Sequence, residues 1–168
     1  MEKTLKILNQ LEQKGIVNRY AIGGGVAALF YAEPVLTYDM DVFVVLSAKE
    51  SRLAILSSLY EHLRKLGYRE DKEHVVIEGV PVQFIPAYNA LVEEAVREAK
   101  QVTYKNVKTK TLRPEHLAAV MLQTGRPKDK MRLTLFLQQA KMNRRALTKI
   151  INRHGLKEKW IQFQRGSS

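Results

Sequence analysis

The spacing of apolar positions changes character several times along the chain. Over residues 2–14, Leu5, Leu8 and Leu11 recur three apart and Ile7 with Leu11 adds a four-residue step. That period predicts a helix with one apolar stripe, closed by Gly15. Residues 19–22 read as a short strand running into Gly23, Gly24 and Gly25. Residues 26–31 then predict a helix that stops before Pro34. Residues 39–46, rich in Val and Phe, predict a strand. Ser47 with Glu50 three residues later forms a capping-box pattern, opening a helix to about Leu66 that Gly67 ends.

Two apolar runs, 74–77 and 80–85, flank Glu78-Gly79, the pattern of a hairpin. Pro81 implies that its strand begins there or lies at a sheet edge. Residues 88–100 predict a helix with Leu91, Ala95 and Val96 inward. Residues 102–112, alternating Lys with Val and Thr, predict one surface strand. Pro114 opens a helix to about Gln123, and Gly125-Arg126-Pro127 breaks it. Helices over 127–141 and 143–153 follow, stopped by His154-Gly155. The expected class is α+β: a small mixed β-sheet core flanked by helices over residues 1–112, with a basic helical region over 113–164 packed on it. Residues 165–168, Arg-Gly-Ser-Ser, read as a cloning remnant.

Composition narrows the function classes. The hydrophobic fraction of 45% supports a real core, and the absence of Cys excludes disulfides and thiolate zinc sites. His62, His74, His116 and His154 are scattered, and no histidine metal cluster is expected from their spacing. No leader pattern and no apolar run of membrane-spanning length is visible, so a cytoplasmic protein with no membrane partner is expected. The net charge of +11 is segregated. Residues 1–99 carry 11 Lys/Arg against 14 Asp/Glu, whereas residues 100–168 carry 17 against 3. A basic half beside a mildly acidic one points to a polyanionic partner.

Chemistry concentrates between Tyr20 and Val45. Residues two apart in a strand share a face, so Asp39 and Asp41 are expected to project side by side. Two like charges at the end of a buried apolar strand repel and lose hydration. A divalent cation offsets that cost, and hard oxygen ligands favour Mg²⁺, with Mn²⁺ as the alternative. The strand–triple glycine–helix segment exposes backbone N–H groups, a geometry that suits phosphate. Alone, each feature has a plain structural explanation: an ion-paired strand end and a tight turn. Together they place a triphosphate site beside a metal site.

Gly24-Gly25, thirteen residues, then Asp39-Met40-Asp41-Val42 resembles the signature of the nucleotidyltransferase superfamily. Among its branches the chain is most similar to the bacterial AbiEii/AbiGii type. The similarity continues through residues 80–86, Arg113-Pro114-Glu115-His116-Leu117 and Gly125-Arg126-Pro127-Lys128-Asp129, covering roughly 15–140. The resemblance implies transfer of a nucleoside monophosphate from an NTP to an acceptor, with release of pyrophosphate. It implies that Gly23, Gly24, Gly25 and Lys128 contact the nucleotide and that Asp39 and Asp41 bind one or two Mg²⁺ as the catalytic pair. It also allows a toxin–antitoxin setting, with a cognate antitoxin-like protein as partner. Three positions depart from the pattern. Gln83 stands where a third acid is expected, Met121 where a Lys is frequent, and Arg132 where many relatives carry an acid. An amide cannot act as a base at neutral pH.

Beyond the core, Arg126, Arg144, Arg145, Lys149 and Arg153 form a basic group suited to a nucleic-acid backbone, RNA such as tRNA foremost. Stacking residues are sparse there (Phe136, Trp160, Phe163), so base readout is not expected, and Trp160 reads as a packing anchor. Three functions remain in competition: an active transferase on an RNA or protein acceptor, a nucleotide-binding module without turnover, and a protein-interaction subunit with a basic face.

Overall fold

The computed structural model describes residues 1–33, 37–45 and 52–166. Helix α1 (Glu2–Gln13) buries Thr4, Leu5, Leu8 and Leu11 along one face, as the leucine spacing predicts. Each buried leucine contributes about 1.5–3 kcal/mol. Strand β1 (Arg19–Ile22) leads into helix α2 (Gly24–Ala28), and β2 (Met40–Val45) follows. Helix α3 (Arg52–Lys65), β3 (Arg69–Asp71), β4 (His74–Ile77) and β5 (Val80–Pro86) complete the first half. Helix α4 (Ala90–Arg97) and strands β6 (Lys100–Tyr104) and β7 (Val107–Thr111) precede four helices. These are α5 (Pro114–Thr124), α6 (Pro127–Gln139), α7 (Arg144–Arg153) and α8 (Lys157–Gly166).

The described strands form one mixed sheet in the order β3-β4-β5-β2-β1-β7-β6. β2 runs parallel to β5, and β1 parallel to β7; the other pairs are antiparallel. β2 and β5 are central, which is why Met40, Val42, Val44 and Val82 are completely buried. One face of the sheet carries α1 and α3. Tyr20 on that face hydrogen-bonds Asn9 of α1, and Tyr60 of α3 meets Phe84 edge to face. The opposite face, bearing Asp41, Phe43 and Gln83, looks toward α2, α5 and α6. The α+β class and mixed sheet expected from sequence are therefore observed.

Several local expectations are corrected. The helix over 88–100 is shorter: Asn89 caps it by accepting from Val92 N–H, and β6 has begun by Lys100. The single surface strand over 102–112 is a hairpin, turning at Lys105 with φ 50°. Its second strand reaches β1 in the sheet, so this segment is less peripheral than its lysines suggest. Pro81 begins a strand rather than marking an edge. It lies one residue before β5 starts to pair with β2, so its missing N–H breaks no central ladder bond. The Glu78-Gly79 hairpin is confirmed, with both turn residues at positive φ (52° and 79°). Helix α8 extends the chain beyond the expected stop at Gly155, and Trp160 on it stacks on Phe163. The Ser47–Glu50 capping box lies outside the described residues.

Candidate active site

The glycine turn and the acidic strand meet through the backbone. Gly23 N–H donates to the Asp41 carbonyl at 2.9 Å, continuing the β1–β2 ladder past Ile22. Gly24 has φ 54°, and a Cβ there would lie 1.9 Å from Asp41 Oδ2. A Cβ on Gly23 would strike the Phe43 ring at 2.3 Å, and one on Gly25 the Thr37 hydroxyl at 2.7 Å. The glycines were expected to leave room for phosphate. The structure gives a packing reason for them: Asp41, Phe43 and Thr37 occupy the space that side chains there would need, and Gly24 lets the Asp41 carboxylate rest against the turn.

Asp39 and Asp41 occupy different local settings. Asp39 precedes β2 and its side chain is 39% exposed. Asp41 is the second residue of β2. Burial first, and then the neighbouring Asp39 charge, push its carboxyl above the ordinary value of 3.8, while Arg126, Lys128 and Arg132 pull the other way. The parallel register sets Asp41 directly opposite Gln83. Val75 pairs with Val82, so the next residue, His74, continues the row toward Gln83 and Asp41 on the same face. His74 Nε2 lies 3.5 Å from Asp39 Oδ2, a partner the sequence did not reveal. That is within ion-pair distance, yet Nε2 is buried without a hydrogen bond, because the separation exceeds hydrogen-bond range.

Two cavities share Arg132. One, of about 430 Å³, is lined by Asp39, His74, Lys128 and the Lys72–Glu73 turn. The other, of about 260 Å³, is lined by Gly24, Asp41, Gln83, Tyr88, Met121 and Arg126. Volumes of this size suit a small polyanionic ligand. The first turn of α6 supplies the cations, and it is held in place from within: Arg126 Nε donates to Asp129 Oδ2 at 2.6 Å, and Asp129 is buried. Asp129 thus pairs with Arg126, while Lys128 is exposed and faces the Asp39 side. All three positions that depart from the superfamily pattern, Gln83, Met121 and Arg132, line this one cleft. A further cavity of about 430 Å³ between α5, α6 and α8 contains no carboxylate among its lining residues.

The donor set fits a divalent cation. Asp41 is a carboxylate whose ionised form is disfavoured by burial and by Asp39, and His74 offers an unsatisfied nitrogen beside Asp39. A cation relieves both conditions.

The other basic residues lie elsewhere. Arg144, Arg145, Lys149 and Arg153 sit on α7, whose buried face is Leu147, Ile150 and Ile151. Arg144 donates to the Leu137 carbonyl and Arg153 to Glu94. Two members of that group therefore have intramolecular roles. Arg145 and Lys149 are exposed. The histidines are also less scattered in space than in sequence: His116 and His154 both reach Glu94, at 3.0 and 2.9 Å.

No protein-family model and no curated protein matches the chain. Solved structures do. The crystal structure of ANT(2″)-Ia in complex with adenylyl-2″-tobramycin aligns over 100% of both chains, with TM-score 0.50 and 13% identity. An antigenic nucleotidyltransferase-like protein from Paracoccidioides brasiliensis aligns over 94% of this chain and 91% of its own, with TM-score 0.53 and 15% identity. The fold is that of the nucleotidyltransferases. In this nucleotidyltransferase fold, the glycine turn and Asp41 lie together at the mouth of the cleft.

Proposed function

We propose that this chain is a divalent-cation-dependent nucleotidyltransferase. The observation that carries the reading is Asp41: a carboxylate pushed up by burial and by Asp39, lodged on Gly24, in one cavity with Arg126 and Arg132 and with Lys128 on the adjoining Asp39 side. An adenylylated ligand in ANT(2″)-Ia supports a nucleotide as the occupant. Asp39 and Asp41 would hold Mg²⁺ or Mn²⁺, which would polarise the α-phosphate and neutralise charge on the leaving pyrophosphate. Lys128 and Arg132 bind the outer phosphates, and Arg126, fixed by Asp129, orients them. An acceptor oxygen forms the new bond to the α-phosphorus, the bond from that phosphorus to the bridging oxygen breaks, and pyrophosphate leaves. The acceptor's proton goes to solvent or to an Asp39 oxygen. The basic second half of the chain favours RNA as the acceptor, with tRNA or a protein as the candidates, and Arg145 and Lys149 as backbone contacts. An AbiEii/AbiGii-type setting, with a cytoplasmic antitoxin-like partner, is the biological reading this supports.

Incubation with each α-labelled NTP, Mg²⁺ or Mn²⁺ and cellular RNA tests the reading. Label moves to RNA or protein with the wild type and not with Asp39→Asn/Asp41→Asn. Transfer that persists in the double variant overturns it.

Gln83 favours a second reading, a nucleotide-binding module without turnover. It stands opposite Asp41 and supplies no base. Replacement Gln83→Asp separates the two. If the wild type binds nucleotide without transferring it, the restored carboxylate raises transfer by about 100-fold or more, the range for one acid–base group. An active wild type with little change in Gln83→Asp refutes the second reading.

A further inference from the structure

We propose that His74 is a nitrogen ligand of the cation held at Asp39, so that the site selects a nitrogen-accepting ion such as Mn²⁺ over Mg²⁺. This rests on the reading of Asp39 and Asp41 as a cation site and adds the identity of the ion. The His74 ring nitrogen Nε2 is shielded from solvent, has no hydrogen-bond partner among the described residues and lies 3.5 Å from Asp39 Oδ2. A buried imidazole nitrogen in a native fold normally finds a donor or acceptor. Here the neighbouring group is the partly exposed Asp39 carboxylate. Two ligand atoms 3.5 Å apart can both reach one ion at bonds of roughly 2.0–2.2 Å.

The sheet explains why the nitrogen is there. Val75 opposite Val82, and Met40 opposite the same Val82, tie β4, β5 and β2 into one row. His74 is one step along β4 from that row, level with Gln83 and Asp41, and Asp39 is one step to the other side, before Met40, so the two stand diagonally on the same face of the sheet. Lys72 at φ 57° turns the β3–β4 hairpin just before His74 and directs the chain into this position. Mg²⁺ takes oxygen ligands almost exclusively, whereas imidazole suits transition ions. The histidine therefore biases the ion as well as completing its shell. Lys128 and Arg132 line the same cavity, placed for a ligand's phosphates, while Asp39 and His74 hold the cation and Asp41 lines the adjoining cavity.

The test uses the full chain with Mn²⁺ alone. Electron spin-echo spectroscopy of bound Mn²⁺ shows ¹⁴N coupling in the wild type, and the coupling disappears in His74→Ala and His74→Gln. Titration shows Mn²⁺ affinity falling about 10–100-fold in both variants, with Mg²⁺ affinity changed less than about twofold. Circular dichroism confirms that both variants are folded, and the glutamine variant retains size and polarity if alanine does not fold. Mn²⁺ bound at Asp39 and Asp41 without ¹⁴N coupling, or equal losses for both ions, overturns the inference and leaves the cation site standing. Mn²⁺ binding that is absent, or unaffected by Asp39→Asn/Asp41→Asn, overturns both.

Discussion

Two carboxylate–histidine groups in this fold use the same residue types to opposite ends. At Glu94, on α4, both carboxylate oxygens are occupied: Oε1 by His116 from α5, Oε2 by His154 and Arg153 from the end of α7. Partial burial pushes the Glu94 carboxyl up, but the two histidine hydrogen bonds and the Arg153 charge outweigh it and leave it below the ordinary 4.5. At Asp39 and Asp41 the balance is reversed. Asp41 is pushed up, and His74 stands off at 3.5 Å with its nitrogen unsatisfied. Glu94 is a clasp that holds the C-terminal helices to the core. The Asp pair retains capacity to bind something. The contrast lies in the carboxylates. His116 Nδ1 is, like His74 Nε2, buried without a hydrogen bond, and Glu94, Glu98 and His116 lie close enough to share an ion. The Glu94 oxygens, however, are already taken up, while Asp41 is held in a form that burial disfavours.

The largest effect is expected at the clasp. Glu94→Ala leaves His116, only 2% exposed, and His154 without their acceptor. Urea unfolding should show a loss of about 3 kcal/mol, the scale of removing one partner from a buried charged network. A loss below about 1 kcal/mol would mean that the clasp is not structural and that the contrast with the Asp pair fails. The pH dependence has a definite sign. Glu94 has a lowered folded value, so its contribution is present above 4.5 and is lost as the pH falls from there through that lowered value. The acid limb of Glu94→Gln should accordingly be shallower than that of the wild type.

A smaller effect separates crowding from conformation at two glycines. Gly24→Ala adds a Cβ 1.9 Å from Asp41 Oδ2 at φ 54°, so the Asp41 carboxylate must move. The expected cost is about 2 kcal/mol, with loss of Mn²⁺ binding. Gly15→Ala has a similar positive φ, 70°, but nothing within 4 Å of the new Cβ. It should cost about 1 kcal/mol and leave Mn²⁺ affinity intact. Equal effects on Mn²⁺ binding at the two positions would refute the Gly24–Asp41 contact as the reason for the glycine.

How far the sequence disclosed all this depended on whether the signal was local. The stripe of Leu5, Leu8 and Leu11 and the Glu78-Gly79 turn are short-range patterns, and both elements form as expected. The spacing from Gly24 to Asp41 was legible in the same way, and the structure brings the two into contact. The turn at Lys105 was not, because a lysine at positive φ carries none of the Gly or Pro signals of a reversal. Helix α8 was missed because its residues present no strong apolar stripe; among them none is buried. The convergence of His116 and His154 on Glu94 joins positions 22 and 60 residues apart, and no spacing rule reports such a contact. His74 beside Asp39 is invisible for the same reason: only the β4–β5–β2 register brings them near each other on one face of the sheet.

The smallest effect is also the one whose sign best tests the contrast. Asp41 has a raised folded value, so the unfolded chain ionises first. The protonated fold is favoured at low pH, and stability is lost as the pH rises from 3.8 through the raised folded value. At neutral pH the full penalty applies. Asp41→Asn removes it at little change in volume, and without metal the variant should be more stable than the wild type by up to about 1 kcal/mol. Glu94→Gln, where both carboxylate oxygens are hydrogen-bonded, should be less stable under the same conditions. Adding Mn²⁺ at ten times its dissociation constant stabilises the wild type by about 1.4 kcal/mol and the asparagine variant by nothing, so their order of stability inverts. A thermal melt with and without Mn²⁺ shows this directly. If Asp41→Asn is destabilising without metal, Asp41 belongs with Glu94 as a structural carboxylate, and the cleft has lost its strongest claim to a cation.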